Sequence, residues 1–501
     1  MPLGPDTTMT PEALACGQRA LVQDAAWASL AGALYGGVML VGFALALGAS
    51  PFVIGLLAAI PLISQAAQVP AIALVEHVRK RKRIVVTAVT LARVLILSLA
   101  IIPFLPIGSA RLTYLVVAQF GVTVLGAVTA CALNSWLHQL LPREGLGAFF
   151  AKRLFWATAV SCVGTLAAGH TVDHWPTSEH IQAYSVTFGA AALAGFVSSW
   201  FLSRVPEPAM TDAGPAGSIV SKIAAPFRDR GFRSVLVYIA SWNVASNMGA
   251  PFLAVYLLQQ MGYALSTVTT LWVTSQVANA LTLYLWGRLS DRFSNKAILD
   301  VALPLHFLCI LWLAVVANFG GHWYTLPVLY AIHLAMGAAG GGIGLATGNL
   351  GLKLAPQGQG TAYLAAIGLM ASVMGGVTAI IGGALAQWFQ SAQLSVIVHW
   401  ETVAHSGEVA LLEFSRWQFL FVISAMLGLY VLHALSRITE GTETSQRVVM
   451  QHFALEALRT VNAISSVAGP LGNLFSFGRL IERRLYARRA EPPNRASAPR
   501  E

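Results

Sequence analysis

The chain has 501 residues, 56% of them hydrophobic and 10% charged, with 31 Lys and Arg against 21 Asp and Glu for a formal net charge of +10. A soluble protein of this size carries about a quarter charged residues, so the composition excludes a water-exposed globular surface and makes lipid the solvent for most of the chain. The positive excess falls in short loops and a tail, which marks it as a topology signal and argues against nucleic-acid binding.

Residues 1–23 lack the basic start, short apolar run and small-residue cleavage site of a signal peptide, so the first span is expected to act as its own uncleaved signal. Apolar segments then follow at 25–47, 52–75, 84–106, 112–140, 154–172 and 183–203, and again at 234–258, 264–287, 297–317, 325–352, 361–386 and 417–436. Each approaches or exceeds the ~20 residues that cross ~30 Å of hydrocarbon, and a helix satisfies its backbone internally where no water can. The expected fold is an all-α polytopic membrane protein of 12 transmembrane helices in two pseudo-symmetric six-helix bundles. Residues 1–24 form an N-terminal segment, 25–203 and 234–437 the bundles, 204–233 a central loop and 438–501 a basic tail.

Lys and Arg set the orientation. One set of alternating loops holds the run Arg79-Lys80-Arg81-Lys82-Arg83, then Arg143, Arg204, Arg228, Arg288, Arg292, Lys296 and Lys353, and the tail adds more. The opposite loops hold only Arg111 and Arg416. Positive charge stays cytoplasmic, so both termini are expected inside a bacterial-type inner membrane. Cys16, Cys131, Cys162 and Cys309 avoid the external loops and are expected as free thiols.

The junction near 204–233 is rich in Pro, Gly and Ala, then becomes amphipathic with Ile219, Val220, Ile223 and Phe227 set against Lys222, Arg228 and Arg230. Two marks recur on either side of it. A Pro with an aromatic seven residues on follows spans four and ten, as Pro142 to Phe149 and Pro356 to Tyr363. A polar turn, Ser64-Gln65 against Ser275-Gln276, recurs in spans two and eight.

The loop after span eight reads Gly287-Arg288-Leu289-Ser290-Asp291-Arg292-Phe293-Ser294-Asn295-Lys296. It resembles the G-x-L-a-D-R-x-G-R-R motif of the major facilitator superfamily, matching at Gly287, Leu289, Asp291, Arg292 and Lys296. A vestige after span two keeps Leu74, Glu76, Lys80 and Arg81 and departs at Ile72, His77 and Arg79. Gly287 is expected to let two helices approach closely. Asp291, with Glu76 in a weaker first-half part, is expected to latch the cytoplasmic side by pairing with an Arg or a helix N-terminus.

The resemblance implies alternating access of two bundles about a central site, with spans one, four, seven and ten lining the cavity and spans two, five, eight and eleven assisting. Candidate cavity residues are Tyr35, Gln65, Gln68, Gln119, Asn134, Trp242, Asn243, Asn247, Gln276, Asn279, His333 and Asn349. Polar side chains in hydrocarbon are expected to point inward; the alternative is interhelical glue, worth about 0.6 kcal/mol each. Amides and aromatics with few charges suit a small neutral or amphipathic organic solute. Arg93, mid-span in the third helix, would either bind an anion or pair with a carbonyl at a helix break.

His306, His333 and Arg93 are the candidates for coupling, because Asp24 and Asp300 lie near cytoplasmic ends. Small residues at 164–169 replace the Gly-Pro motif of antiporters. External His and acidic residues (His170, Asp173, His174, Glu179 and His180; His399, Glu401, His405 and Glu408) have metal-ligand chemistry but match no known spacing, so no metal site or cofactor is assigned; they motivate a metal or metal-chelate transporter as a rival. The tail holds amphipathic stretches around Val449 to Ile464 and Leu474 to Arg488 that would lie on the anionic inner leaflet or dock a cytoplasmic protein. No paired acids or nucleotide loop point to an enzyme. A non-transporting membrane sensor with the same fold is the remaining rival, and the chain is expected as a monomer.

Overall fold

The computed structural model describes residues 10–106, 108, 110–142, 144–176, 180–210, 225–356, 360–401, 406–438, 440 and 448–456. Ile219, Val220, Lys222 and Ile223 of the expected amphipathic stretch and the second stretch of the tail lie outside them, as do Glu179 and His405.

Span one starts earlier than hydropathy suggests. The Thr10 side chain accepts the Ala13 N–H at 3.2 Å and Pro11 takes the first helical position, so the helix runs Pro11–Tyr35 without a boundary at residue 25. It breaks at Gly36-Gly37, where Gly37 has φ of 54°, and resumes as Val38–Ala46. Span two is also broken: Pro51–Ile63 carries an internal Pro61, a 3₁₀ turn covers Ser64–Ala67, and Gln68–Val78 continues. Spans three to six are Arg81–Leu99, Ala110–Leu140, Leu146–Asp173 and His180–Ser203.

Span seven, Arg230–Gly249, opens on an Asp229 cap whose Oδ1 accepts the Gly231 and Phe232 N–H groups. It breaks at Pro251 into a 3₁₀ turn, Ala250–Phe252, a short helical piece and a π-turn, Tyr256–Gln260. Spans eight to twelve are Leu265–Arg292, Asn295–Val316, Thr325–Leu354, Gly360–Trp388 and Gln418–Ser436. Ten of the twelve are long and apolar enough to cross a membrane by length and composition, and the two that fall short are spans seven and eight. Their polar residues cause this: Asn243 and Asn247 in one, and Thr270, Thr274, Gln276, Asn279 and Thr282 in the other.

The segment between spans eleven and twelve is structured rather than a plain loop. Strands β1 (Gln393–Glu401) and β2 (Ser406–Ser415) form an antiparallel hairpin with a bulge at Val396/Ile397.

The pairs of packed spans repeat. Span one packs on five and six, three on four and six, and two on four; span seven packs on eleven and twelve, nine on ten and twelve, and eight on ten. Adding six to each number maps one set onto the other, which is the signature of two bundles related by a pseudo-twofold axis. The bundles meet through two equivalent seams, span two on eleven and span five on eight. Outward-facing apolar side chains such as Leu91, Val117, Val163, Leu193, Leu281 and Leu429 stay exposed, as lipid-facing positions must.

Each bundle is tied at the end that carries the termini by an acid placed four residues after its last helix. Glu207 Oε1 accepts the Arg81 N–H at 2.5 Å and lies 3.6 Å from Arg81 Nε, while Arg81 Nη2 donates to the Pro208 carbonyl at 2.6 Å. Glu440 accepts from the Lys296 N–H at 2.9 Å and from Asn295 Nδ2 at 2.8 Å, and pairs with Lys353 at 3.3 Å. Acid, helix N-terminus and side-chain donor recur in both halves.

Arg81 and Glu207 are 0% and 1% exposed. Glu207→Ala should therefore cost about 3–5 kcal/mol by stranding a buried charge. Glu440→Ala should cost about 1 kcal/mol, because Lys353 is exposed. Unfolding in detergent by thermal melt compares the two, and a cost at 440 equal to that at 207 contradicts the account.

Candidate functional site

The helix breaks of spans one and seven face each other. Gly36 and Gly37 on one side and Ala250 and Pro251 on the other line a cavity of about 410 Å³ between the bundles, within the range of small-ligand sites. Leu40, Val41, Ile54, Leu57, Leu253, Leu257 and Val268 make its apolar wall. Its polar or aromatic groups are Tyr35, Gln119, Thr123, Trp272 and His333. Gln119 is buried and its Oε1 has no hydrogen-bond partner among the described residues. His333 Nδ1 lies 2.8 Å from the Leu329 carbonyl, which only accepts; the nitrogen therefore donates, and Nε2 of the neutral ring remains as an acceptor.

A second cavity of about 300 Å³ lies within the first bundle and is lined by Gln65, Arg93, Thr129 and Gly126 among others. Tyr35, Pro61 and Thr123 line both, so the two adjoin. A larger pocket of about 960 Å³ sits under the hairpin, lined by Gln260, Asn318, Glu413 and Gln418. It is walled by the second bundle alone, off the axis, and is not the candidate site.

Of the residues expected at the cavity, Tyr35, Gln119 and His333 line the central one, and Gln65 and Arg93 the adjoining one. Gln65 Oε1 accepts from Gln68 Nε2 at 2.5 Å across the 3₁₀ turn. Asn243 Nδ2 donates to the Ile239 carbonyl and Asn247 Nδ2 to the Asn243 carbonyl, each at 2.9 Å, so both spend a donor on their own helix. They lie on the stripe of span seven that continues through Ala250 and Ala254, one and two turns below the cavity. Gln276 is exposed one turn below Trp272 on the cavity stripe of span eight. Asn279 packs against Gly340 and Gly341 of span ten.

Others sit elsewhere. Trp242 packs edge-on against His306 and Phe307, with centroids 5.2 and 5.9 Å away, inside the second bundle. Both ring nitrogens of His306 are buried without a partner there. Asn349 donates to Ser290 Oγ at 3.1 Å near the termini end, and Asn134 is exposed on span four. The close approach expected at Gly287 is not there: a Cβ at that position would meet open space. Spans eight and ten approach instead at Gly337 against the Ser275 backbone and at Gly342 against Trp286. Asp291 lies in the last turn of span eight, Arg292 ends that helix, and Glu76 is exposed in the last turn of span two. A helical segment at 448–456 covers this loop: Phe453 stacks on Trp286 at 4.5 Å, His452 sits 5.2 Å from Phe293, and Glu456 pairs with Arg288 at 3.3 Å.

Sequence reasoning missed Trp272 and Pro251. The Gly-Gly and Gly-Ala-Pro signals for the two helix breaks are nonetheless present in the chain. All four cysteines are free. Rings of His170 and His174 stack at 3.9 Å and His399 pairs with Glu408 at 3.1 Å, but among the described residues no three His, Cys, Asp or Glu gather as a metal group.

The seams that join the bundles lie toward the end away from the termini. A Cβ at Gly55 would fall 2.5 Å from the Ala379 carbonyl oxygen and 2.8 Å from the Gly383 Cα, so spans two and eleven touch backbone to backbone. At the other seam the Asp173 carboxylate of span five accepts the Leu265 N–H at 3.1 Å and the Ser266 N–H at 2.6 Å, capping span eight from the opposite bundle. Both seams therefore join the bundles on the side of the cavity away from the termini.

A family model described as Major Facilitator Superfamily matches residues 25–379. Among solved structures the chain is similar to a mutant form of the nucleoside transporter NupG, at 12% identity, covering 84% of this chain and 100% of that one with a TM-score of 0.62. It is also similar to a D-xylose-proton symporter, at 12% identity over 86% of this chain and 97% of that one, TM-score 0.59. A third is a bacterial homologue of the human lysosomal transporter Spinster, inward-facing and occupied, at 13% identity over 86% and 98%, TM-score 0.58. No curated protein matches the sequence.

Asp173→Ala removes both caps, a loss of about 1 kcal/mol or roughly fivefold in the closed-to-open ratio at the far end. In a background without the four native cysteines, a cysteine at Ala58 in the cavity wall should then react several-fold faster with a membrane-impermeant maleimide added on that side. Unchanged labelling removes Asp173 from the closure.

Proposed function

The chain belongs to the Major Facilitator Superfamily, and on that premise we propose that it is an alternating-access carrier of a small amphipathic organic solute in a bacterial cytoplasmic membrane. The observation that carries the reading is the central cavity. It takes its walls from both bundles and sits where spans one and seven break, with the seams between the bundles toward one end. Irregular backbone at membrane depth is tolerated where it lines such a cavity. With the seams at the far end and the basic loops at the other, taken as cytoplasmic, the reading is of an inward-facing arrangement.

In this reading Trp272 offers a ring face to the solute, Gln119 an amide oxygen and His333 an imidazole acceptor. Gln65, Gln68, Asn243, Asn247, Gln276 and Asn279 border the path to the cytoplasm. His333 is the stronger coupling candidate of the two histidines, since it lines the cavity while His306 is walled off by Trp242 and Phe307. Asp291, Arg292 and Lys296 would form the cytoplasmic latch when the cycle reverses.

A second reading has one observation in its favour. The tail folds back on the loop that carries the motif, through Glu440, His452, Phe453 and Glu456. A sensor that binds its ligand without moving it would use such a strap to report the state of the bundles.

Purified protein in liposomes, screened first for ligands by thermal shift, separates the two: a carrier accumulates or equilibrates the solute and a sensor does not. Gln119→Ala is expected to weaken binding about fivefold, the value of one hydrogen bond, and Trp272→Ala by more. Asp291→Asn should slow transport with expression near normal. Affinity unaltered by both cavity variants moves the site elsewhere, and transport unaltered by Asp291→Asn removes the latch.

A further inference from the structure

Arg93 occupies the middle of a span that runs from Arg81 to Phe104. It shares the inward face with the buried Val89, Ala92 and Ile96, away from the lipid-exposed Leu91, Val94 and Leu97. A guanidinium has five N–H donors, yet Arg93 makes no hydrogen bond to any described residue, and its Nε is fully buried. The alternative role foreseen for it, pairing with a carbonyl at a helix break, is not realised.

Its position is nonetheless built. A Cβ at Gly195 of span six would collide with Cδ and Nε of Arg93, so a glycine clears the channel through which the side chain passes. The charges facing it do not balance it. Asp24 of span one and the Tyr35 hydroxyl are within electrostatic range. Asp24, however, already accepts from Ser198 Oγ at 2.7 Å and lies 3.9 Å from Arg153 Nη2. Two guanidinium groups thus share one carboxylate, and the surplus positive charge is Arg93's. An uncompensated cation at membrane depth is costly, and such residues face cavities and mark ligand paths.

The cavity beside it has the shape of a head-group site. Gln65, Thr129, Thr123 and Tyr35 surround it, and through Tyr35, Pro61 and Thr123 it adjoins the apolar central cavity. We propose that the transported solute is an amphipathic carboxylate, its anionic head held by Arg93 in the second cavity and its apolar body lying against Trp272 and the leucines of the first. This rests on the carrier reading for its word "transported" and on the geometry alone for the binding. The fork of a guanidinium matches a carboxylate in two parallel bonds, so the interaction supplies orientation as well as affinity.

The test compares 3-phenylpropanoate with its uncharged amide, 3-phenylpropanamide, alongside a set of straight-chain monocarboxylates of four to ten carbons. Binding to the purified full chain is measured by calorimetry and thermal shift, and transport in phosphatidylcholine liposomes. At least one carboxylate should bind about tenfold tighter than its amide. Arg93→Gln should bring the carboxylate down to the affinity of the amide and leave the amide unchanged. Arg93→Lys, which keeps the charge, fills the same channel and guards against a folding defect, should retain part of the preference. Equal binding of acid and amide, no binding by any carboxylate in the set, or a preference that survives Arg93→Gln overturns the proposal. So does Arg93-dependent stabilisation by phosphatidylglycerol and by none of the carboxylates, which would assign Arg93 to lipid. Binding that depends on Arg93 without movement into liposomes would fail the carrier reading and leave the site standing. Movement of the amide at a rate indifferent to Arg93 would do the reverse.

Discussion

Backbone amides in hydrocarbon have to be satisfied by the chain itself, and most of this structure follows from that constraint. It makes every membrane-depth segment a helix, and it makes a break in a helix informative. Spans one, two and seven are the interrupted ones, at Gly36-Gly37, after Pro61 and at Pro251. All three interruptions lie at the wall of the central cavity. Polar backbone is released where space for water or a solute exists to receive it. The cavity and the breaks are one feature, and the apolar body of the site is assembled from the residues that flank them.

The same constraint explains how the bundles are held. Lipid offers no hydrophobic drive for helix association, so close packing and local polar contacts have to supply it. Within each half the same pairs of spans touch, and the acid after the sixth helix, Glu207 or Glu440, ties down the start of the third, at Arg81 or Lys296. Between the halves the contacts are of a different kind: backbone against backbone at Gly55 and Gly383, and a carboxylate on two amide N–H groups at Asp173. Ties inside a bundle are charged, buried at Glu207 and partly exposed at Glu440. Ties between bundles run along two seams that lie toward one end. In the carrier reading, that division would let the two bundles rock without either coming apart.

Much of this was legible in the sequence. Hydropathy marks ten of the twelve spans outright, because it repeats the solvent constraint residue by residue. Tyr35, Gln119 and His333 were readable as cavity residues since a polar group in an apolar stretch has few other places to go. Asn243 and Asn247 looked equally good but bond their own helix, a choice of rotamer that spacing cannot reveal. Trp272 was hidden because an aromatic in an apolar span is ordinary until its neighbours are known. Gly287 carries a motif glycine's expectation of close contact, yet the small residues that let the helices meet are Gly337 and Gly342 of span ten, against Ser275 and Trp286. The hairpin at 393–415 left a trace in the alternation of Leu394, Val396 and Val398 with Ser395 and His399, outweighed there by the loop's charged and histidine content.

The two cavities also explain why composition alone underestimates the polarity of the site. One arginine among amides and aromatics barely changes a residue count, and a chain with few charged residues reads as a carrier of neutral solutes. What decides the matter is whether the charge is cancelled. Arg81 is more deeply buried and is tied by its ion pair with Glu207 and by Nη bonds to the Ser135 and Pro208 carbonyls, so it is structural. Arg93 has a glycine making room for it, a carboxylate in range that is committed elsewhere, and open volume in front of it. The two arginines differ in their partners, and partners separate a tie within the scaffold from a group that waits for a ligand.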